Sequence, residues 1–177
     1  MMATSSISAT EMEIERTTDQ PNWLELSKDV TCGQLEDIAF EFYVTDNLLA
    51  YIADCSGHLR CMRLVQCARL SEKGFRDVIK KLSFLEELEI LFNHQLSEET
   101  FELIGQCCPL LKSLEYARLV NRYQILGIND EAFAIAKTMP RLLHLKISGN
   151  VLNNDGILAI LDGCPLLESL DLTRYGC

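Results

Sequence analysis

The chain has little of what an enzyme or a nucleic-acid binder needs. Its 177 residues hold three histidines, His58, His94 and His144, and none falls in a nucleophile motif. No G-x-G-x-x-G and no Walker-type phosphate loop occurs. The eight cysteines include no C-x-x-C pair, the close spacing from which zinc sites are usually built. The acids are scattered, with no pair singled out for acid–base work. No basic run of five residues is present, and the formal net charge of −10 is the wrong sign for phosphate or anionic lipid. Apolar runs fall well short of the roughly 18 residues of a membrane span. The N-terminal stretch MMATSSISATEMEIERTTDQ has neither the order of a secretory signal nor the Arg-rich, acid-poor character of a transit peptide, and residues 1–20 are expected to be a disordered tail. These absences predict a non-enzymatic chain without cofactor or metal. They place it in the cytoplasm or nucleus, its cysteines reduced and its partner a protein rather than nucleic acid or membrane.

What is abundant is aliphatic. Hydrophobic residues make up 48% of the chain and aromatics only 7%, with a single tryptophan. The aliphatic residues recur. The pattern L-x-x-L-x-L, with apolar swaps, opens at Leu35, Leu59, Leu85, Leu111, Leu142 and Leu167, at spacings of 24, 26, 26, 31 and 25 residues. That is the period of a leucine-rich repeat. The last two apolar positions of each unit stand two apart and share one face of a short strand. Eight residues past each opening leucine stand Tyr43, Cys67, Asn93, Leu119, Asn150 and Tyr175. An Asn or Cys there can satisfy backbone groups of the turn that leaves the strand.

Each strand is followed by a helix start: Val44-Thr45-Asp46, Leu70-Ser71-Glu72, Leu96-Ser97-Glu98, Ile128-Asn129-Asp130 and Leu152-Asn153-Asn154. Thr, Ser and Asn are good N-caps, and an acid in the first turn complements the helix dipole. CCPLL, MPRLL and CPLLE then end the helix, because proline disfavours helical geometry in the residue before it. The fold class is therefore α/β: a leucine-rich-repeat solenoid of about five units and a closing strand over residues 34–177, with parallel strands on the concave face and helices on the convex face. The 31-residue spacing predicts a longer loop between Tyr116 and Asn129. At RYGC no cap is evident, and the expectation is either fraying of the last strand or a more stable longer isoform.

Cys55, Cys108 and Cys164 fall just before a strand, where a small thiol packs well, and Cys61 is expected on the concave face. The outward strand positions form the candidate protein-binding strip: Asp37, Arg63, Glu87, Glu89, Glu115, His144, Lys146 and Asp171. Its middle is acidic, with Arg63 and Lys146 on the flanks, which suits a basic or mixed-charge segment of a protein.

The units with Cys-Pro before the strand, CCPLLKSLEY and CPLLESLDL, resemble the cysteine-containing repeats of F-box/LRR proteins, and NDEAFAIAKTMPRLLHLKISGNVLNNDGILAILDGCPLLESLDL is similar to the plant members. The likeness runs from about Leu35 to Leu172. NWLELSKDVT resembles the first line of a plant F-box, with Ser27 where that family has proline. The resemblance implies a substrate-recognition subunit of an SCF-type ubiquitin ligase, in which a Skp-type adaptor holds the F-box and the repeats select the protein to be degraded. Only some ten residues of that module precede the first repeat, so residues 21–33 are expected to be an F-box remnant or an N-terminal cap. Trp23, Leu24 and Leu26 are its adaptor-facing residues, and adaptor binding is expected to be impaired. The alternative is an adaptor-free scaffold or inhibitor, similar to ribonuclease inhibitor, that binds a protein through the same face.

Overall fold

The computed structural model describes residues 5–8, 35–93, 96–118, 129–149 and 152–173. From β2 on, strands and helices alternate: β1 (Ser5–Ser8), β2 (Leu35–Glu41), α1 (Asp46–Cys55), β3 (Cys61–Val65), α2 (Glu72–Ile79), β4 (Glu87–Asn93), α3 (Glu98–Cys107), β5 (Ser113–Arg118), α4 (Asp130–Thr138), β6 (His144–Ser148), α5 (Asn154–Gly163) and β7 (Ser169–Asp171). The strands form one seven-stranded sheet in chain order. All the pairings are parallel. This is the leucine-rich-repeat solenoid that the leucine spacing implies. Ser5–Ser8, inside the stretch read as a tail, pairs with β2 and covers its outer edge. The 119–128 insert and the segment with Trp23, Leu24 and Leu26 lie outside the described residues.

The repeat leucines stack into one core. Leu59, Met62 and Leu64 are buried, as are Leu85, Leu88 and Ile90, and Leu142, Leu145 and Ile147. In the fourth unit Tyr116 takes the last of these positions and packs edge-on against Phe101, ring centres 5.0 Å apart. Phe75, Val78 and Ile79 of α2 and Phe101 and Ile104 of α3 close the core from the helical side. Each unit buries what its neighbour would otherwise expose, so the stack holds together by adjacency.

The expected caps fall where the sequence places them. Thr45, Ser71, Ser97, Asn129 and Asn153 are the N-cap residues of α1 to α5. They also join the units. Asp46 at the start of α1 accepts from the Ser71 backbone N–H at 2.7 Å and its hydroxyl at 2.6 Å. Glu72 at the start of α2 accepts from the Ser97 N–H at 2.8 Å, its hydroxyl at 2.6 Å and the Thr100 hydroxyl. The Asn129 side-chain amide donates to the Asn153 side-chain oxygen Oδ1 at 2.7 Å. Where the reaching side chain is the short Asp46, the facing residue is Gly74, whose missing Cβ would lie 2.2 Å from the Asp46 carboxyl carbon.

The other end of each helix holds a correction. The residue three before the opening leucine is Ser56, Leu82, Cys108, Met139 or Cys164, and all five are buried. Cys55, read into that register from its composition, is one residue early: it ends α1 and is only partly covered. Cys108, Met139 and Cys164, each preceding a proline, leave helical geometry with ψ of 71°, 55° and 69°. Ser56 does so at ψ 61° before a glycine instead.

At the ends of β2, β3, β4 and β6 the chain passes through a left-handed residue at one register position: Phe42 (φ 68°), Gln66 (φ 51°), Phe92 (φ 56°) and Gly149 (φ 71°). Left-handed backbone costs a side-chain-bearing residue roughly 1–2 kcal/mol. Side-chain bonds hold the second turn in place. The Asn93 amide donates to the Leu64 carbonyl at 2.8 Å, and its oxygen accepts from the Cys67 N–H. The Cys67 thiol reaches the Phe40 carbonyl at 3.7 Å.

Candidate protein-binding face

The helix-free face of the sheet, concave in this repeat class, carries side chains in rows that cross the strands, because the parallel register keeps equivalent residues level. One row reads Asp37, Cys61, Glu87, Ser113, His144, Ser169, and the next Ala39, Arg63, Glu89, Glu115, Lys146, Asp171. All eight residues expected on the strip from Asp37 to Asp171 thus stand on one face, in two adjacent rows. A third row is Glu41, Val65, Leu91, Ala117 and Ser148.

Most charges in the second row neutralise one another. Arg63 pairs with Glu89 at 2.9 Å and Lys146 with Glu115 at 2.7 Å. The hydrogen bond and charge of Glu115 push the Lys146 ammonium above its ordinary range. Asp171 accepts from the Thr173 hydroxyl at 2.7 Å. The flanking positive charges read from the sequence are therefore held by the strip's own acids.

In the first row His144 Nδ1 lies 3.0 Å from the Ser169 hydroxyl. Cys61 sits between Asp37 and Glu87. Burial, then hydrogen bonding to Asp37 and the charge of Glu87, push its thiol up to about 12. A thiol so raised stays protonated at neutral pH and is a poor nucleophile. No basic side chain pairs with Asp37 or Glu87 among the described residues.

Two features escaped the sequence reading. Where the chain enters the strands, Glu86 accepts from Arg60 on one side and from Lys112 at 2.6 Å on the other. The Lys112 and Arg60 hydrogen bonds hold its carboxyl below the usual range. The signal was present: Arg60, Glu86 and Lys112 each follow an opening leucine directly. The second feature is the third row. Val65 and Leu91 are half-buried on an otherwise polar face, whereas Ala117 and Ser148 are buried. Beside it Phe42 and Tyr43 are 50% and 59% exposed. Two alternating positions further along the strand the pattern turns apolar, which a strand-by-strand reading that stops at L-x-L does not record.

Among the described residues, no cluster of three metal-ligating side chains occurs. None of their helices is long and apolar enough to cross a membrane. The polar rows can recognise another surface by charge and hydrogen bonding, and the third row can bury apolar groups.

Such a sheet face, backed by helices in successive units, defines a leucine-rich-repeat protein. The C-terminal domain of tropomodulin from Caenorhabditis elegans shares the fold, with a TM-score of 0.54 at 16% identity, covering 81% of this chain and 89% of that one. No protein-family model matches the chain. The sequence relatives are more specific. The F-box protein SKIP19 of Arabidopsis thaliana is 42% identical across 82% of this chain, and putative F-box/LRR-repeat protein 22 of the same plant is 47% identical across 75%. Putative F-box/LRR-repeat protein 23 is 41% identical across 82%. The chain is a homologue of the plant F-box/LRR-repeat proteins over most of its length. It spans less than half the length of these relatives: 46%, 42% and 32% respectively.

Proposed function

We propose that the chain is the substrate-recognition part of an F-box/LRR subunit of an SCF-type ubiquitin ligase, and that it works by binding rather than by catalysis. The observation that carries this reading is the match, across most of the chain, to proteins named for the F-box together with the repeats. The helix-free face, with Asp37, Arg63, Glu87, Glu89, Glu115, His144, Lys146 and Asp171, is the surface that would hold the protein partner. Its exposed polar groups and half-buried aliphatic residues suit a protein interface, whose core is apolar and rim polar. The place of action is the cytoplasm or nucleus. A Skp-type adaptor would be contacted through Trp23, Leu24 and Leu26, and this contact is expected to be weak, since a stable interface needs about 800 Å² from each partner.

The test is affinity purification of the 177-residue chain from plant cells, beside a variant with Glu87 and Glu89 reversed to Lys. The expected result is ubiquitin-modified partners that are lost from the variant, whether or not the adaptor is retained directly. Partners recovered equally from both chains would remove the face from the reading. Partners that carry no ubiquitin and no ligase subunit would remove the ligase and leave a binding module.

A further inference from the structure

The three rows differ in what they leave unsatisfied, and the differences converge on β2, β3 and β4. In the first row Asp37 and Glu87 flank Cys61 with no basic partner among the described residues, and the thiol between them is protonated. Neighbouring strands stand about 4.8 Å apart, so the two carboxylates project from backbones roughly 10 Å apart. A single basic side chain laid over Cys61 would meet both. In the second row Arg63 and Glu89 already pair. That pair offers hydrogen bonds but no net charge. In the third row Val65 and Leu91 are half-buried, next to the exposed Phe42 at the strand exit. On β5 and β6 the same row is closed, at Ala117 and Ser148. There the acid Glu115 has its own lysine.

We propose that this part of the face takes an extended segment of a partner protein with Lys or Arg at one position, a small polar residue two further on, and a large aliphatic or aromatic residue four further on. This rests on the reading of the face as a protein-binding surface and adds the chemistry of what it binds. The spacing follows from geometry. Asp37 and Glu41, or Glu87 and Leu91, are four residues apart, about 13 Å along a strand. An extended segment lying along the strands presents alternate side chains to the sheet, so positions i, i+2 and i+4 meet the acidic, paired and apolar rows in turn. A helix covers the same distance in about nine residues and would show a different spacing. Charge complementarity fixes the sign. The cations of the second row, Arg63 and Lys146, are taken up by its own acids, and what remains is negative.

The test pans a phage-displayed library of random decapeptides on the full chain, followed by fluorescence anisotropy of the synthesised winners. The expected winners carry a basic residue four positions from Leu, Ile or Phe. Asp37→Lys or Glu87→Lys should weaken them about ten-fold, Leu91→Ser comparably, and raising the salt should weaken them further. Asp54→Lys on the exposed side of α1 makes the same charge change away from the face and should leave binding intact. Circular dichroism identifies any variant that fails to fold, and the conservative Glu87→Gln, with an expected loss of several-fold, then replaces Glu87→Lys. Winners that are acidic, that show helical spacing, or that weaken as much with Asp54→Lys would overturn the proposal, as would a library without winners. If the purified cellular partners are lost with the Glu87 and Glu89 reversals while the winners lack the spaced pair, the face stands and this occupant falls.

Discussion

At the scale of single residues, the repeat makes its own controls, because one position can be compared across units. Ser56 holds the place of Leu82, Cys108, Met139 and Cys164, and its buried hydroxyl has no hydrogen-bond partner among the described residues. Leaving a buried hydroxyl unpaired costs roughly 1–3 kcal/mol. Ser56→Cys puts there the thiol that two sister units use, and should raise unfolding stability by about 1 kcal/mol in urea titrations. A loss of stability would show that the hydroxyl is paired. Burial pushes Cys108 up to about 12, so a thiol in this environment stays neutral and packs as an apolar group. Glu72 gives a second residue-scale prediction. Burial raises its carboxyl, but hydrogen bonds from the Ser97 and Thr100 hydroxyls and the Ser97 backbone outweigh it, and the pKa lies below the ordinary 4.5. A lowered folded value means stabilisation that is complete above the unfolded pKa and is lost as pH falls through the folded one. The Glu72→Gln variant should therefore show a flatter loss of stability than the parent between about pH 5 and pH 3. Parallel acid limbs in the two chains would exclude this role for Glu72.

At the scale of elements, what could be read from the sequence is what depends on neighbours in the chain. The five N-caps follow from Thr45, Ser71, Ser97, Asn129 and Asn153 standing directly after an apolar anchor, and Pro109, Pro140 and Pro165 each stand two residues past the end of a helix. Phase was harder. Cys55 draws the eye by its likeness to Cys108, yet the opening Leu59 counts back to Ser56. The pairing of Arg63 with Glu89 and of Lys146 with Glu115 needed the strand register, which sets residues 26 and 31 positions apart level with one another. Ser5–Ser8 offers one apolar residue and no period, so its pairing with β2 had no sequence signal. Spacing between helices is likewise set by contacts across units. A Cβ on Gly163 would lie 2.3 Å from the Ala136 carbonyl oxygen and 2.6 Å from its Cα, atoms of α4 that cannot swing aside. Gly163→Ala should thus part α5 from α4 and cost about 1–3 kcal/mol, the usual range for overpacking. Gly57→Ala meets nothing within 4 Å and should be neutral or slightly stabilising in the same melts. Equal effects at the two sites would remove the contact argument.

At the scale of the whole molecule, a stack of repeats has stability that is local and passes between neighbours. An interior unit is covered on both sides, whereas the unit ending in β7 is covered by the described residues on one. The side chains record this. Leu145 and Ile147 of β6 are each 1% exposed, while their counterparts Leu170 and Leu172 are only partly covered. Leu158, Leu161 and Leu166 of the same unit are exposed at 57%, 51% and 55%. The apolar surface left open there is what a further covering element would otherwise bury, so β7 and α5 gain less from folding than β4, β5 and α3. Opening free energies within one protein range from near zero to the global value, and they follow this kind of cover. Amide hydrogen exchange should therefore be slowest around Leu88 and Leu114 and fastest, among the strand amides from β3 onward, at Leu170. Truncating the core tests the same gradient by another route. Leu114→Ala, in the middle of the stack, should cost about 2–5 kcal/mol and speed exchange in the units on both sides. Leu170→Ala should cost less and change exchange only in its own unit and the one before it. Protection at Leu170 equal to that at Leu114, or a global loss of protection in Leu170→Ala, would mean that the solenoid unfolds as a single block. The open face of the last unit would then have no bearing on its stability.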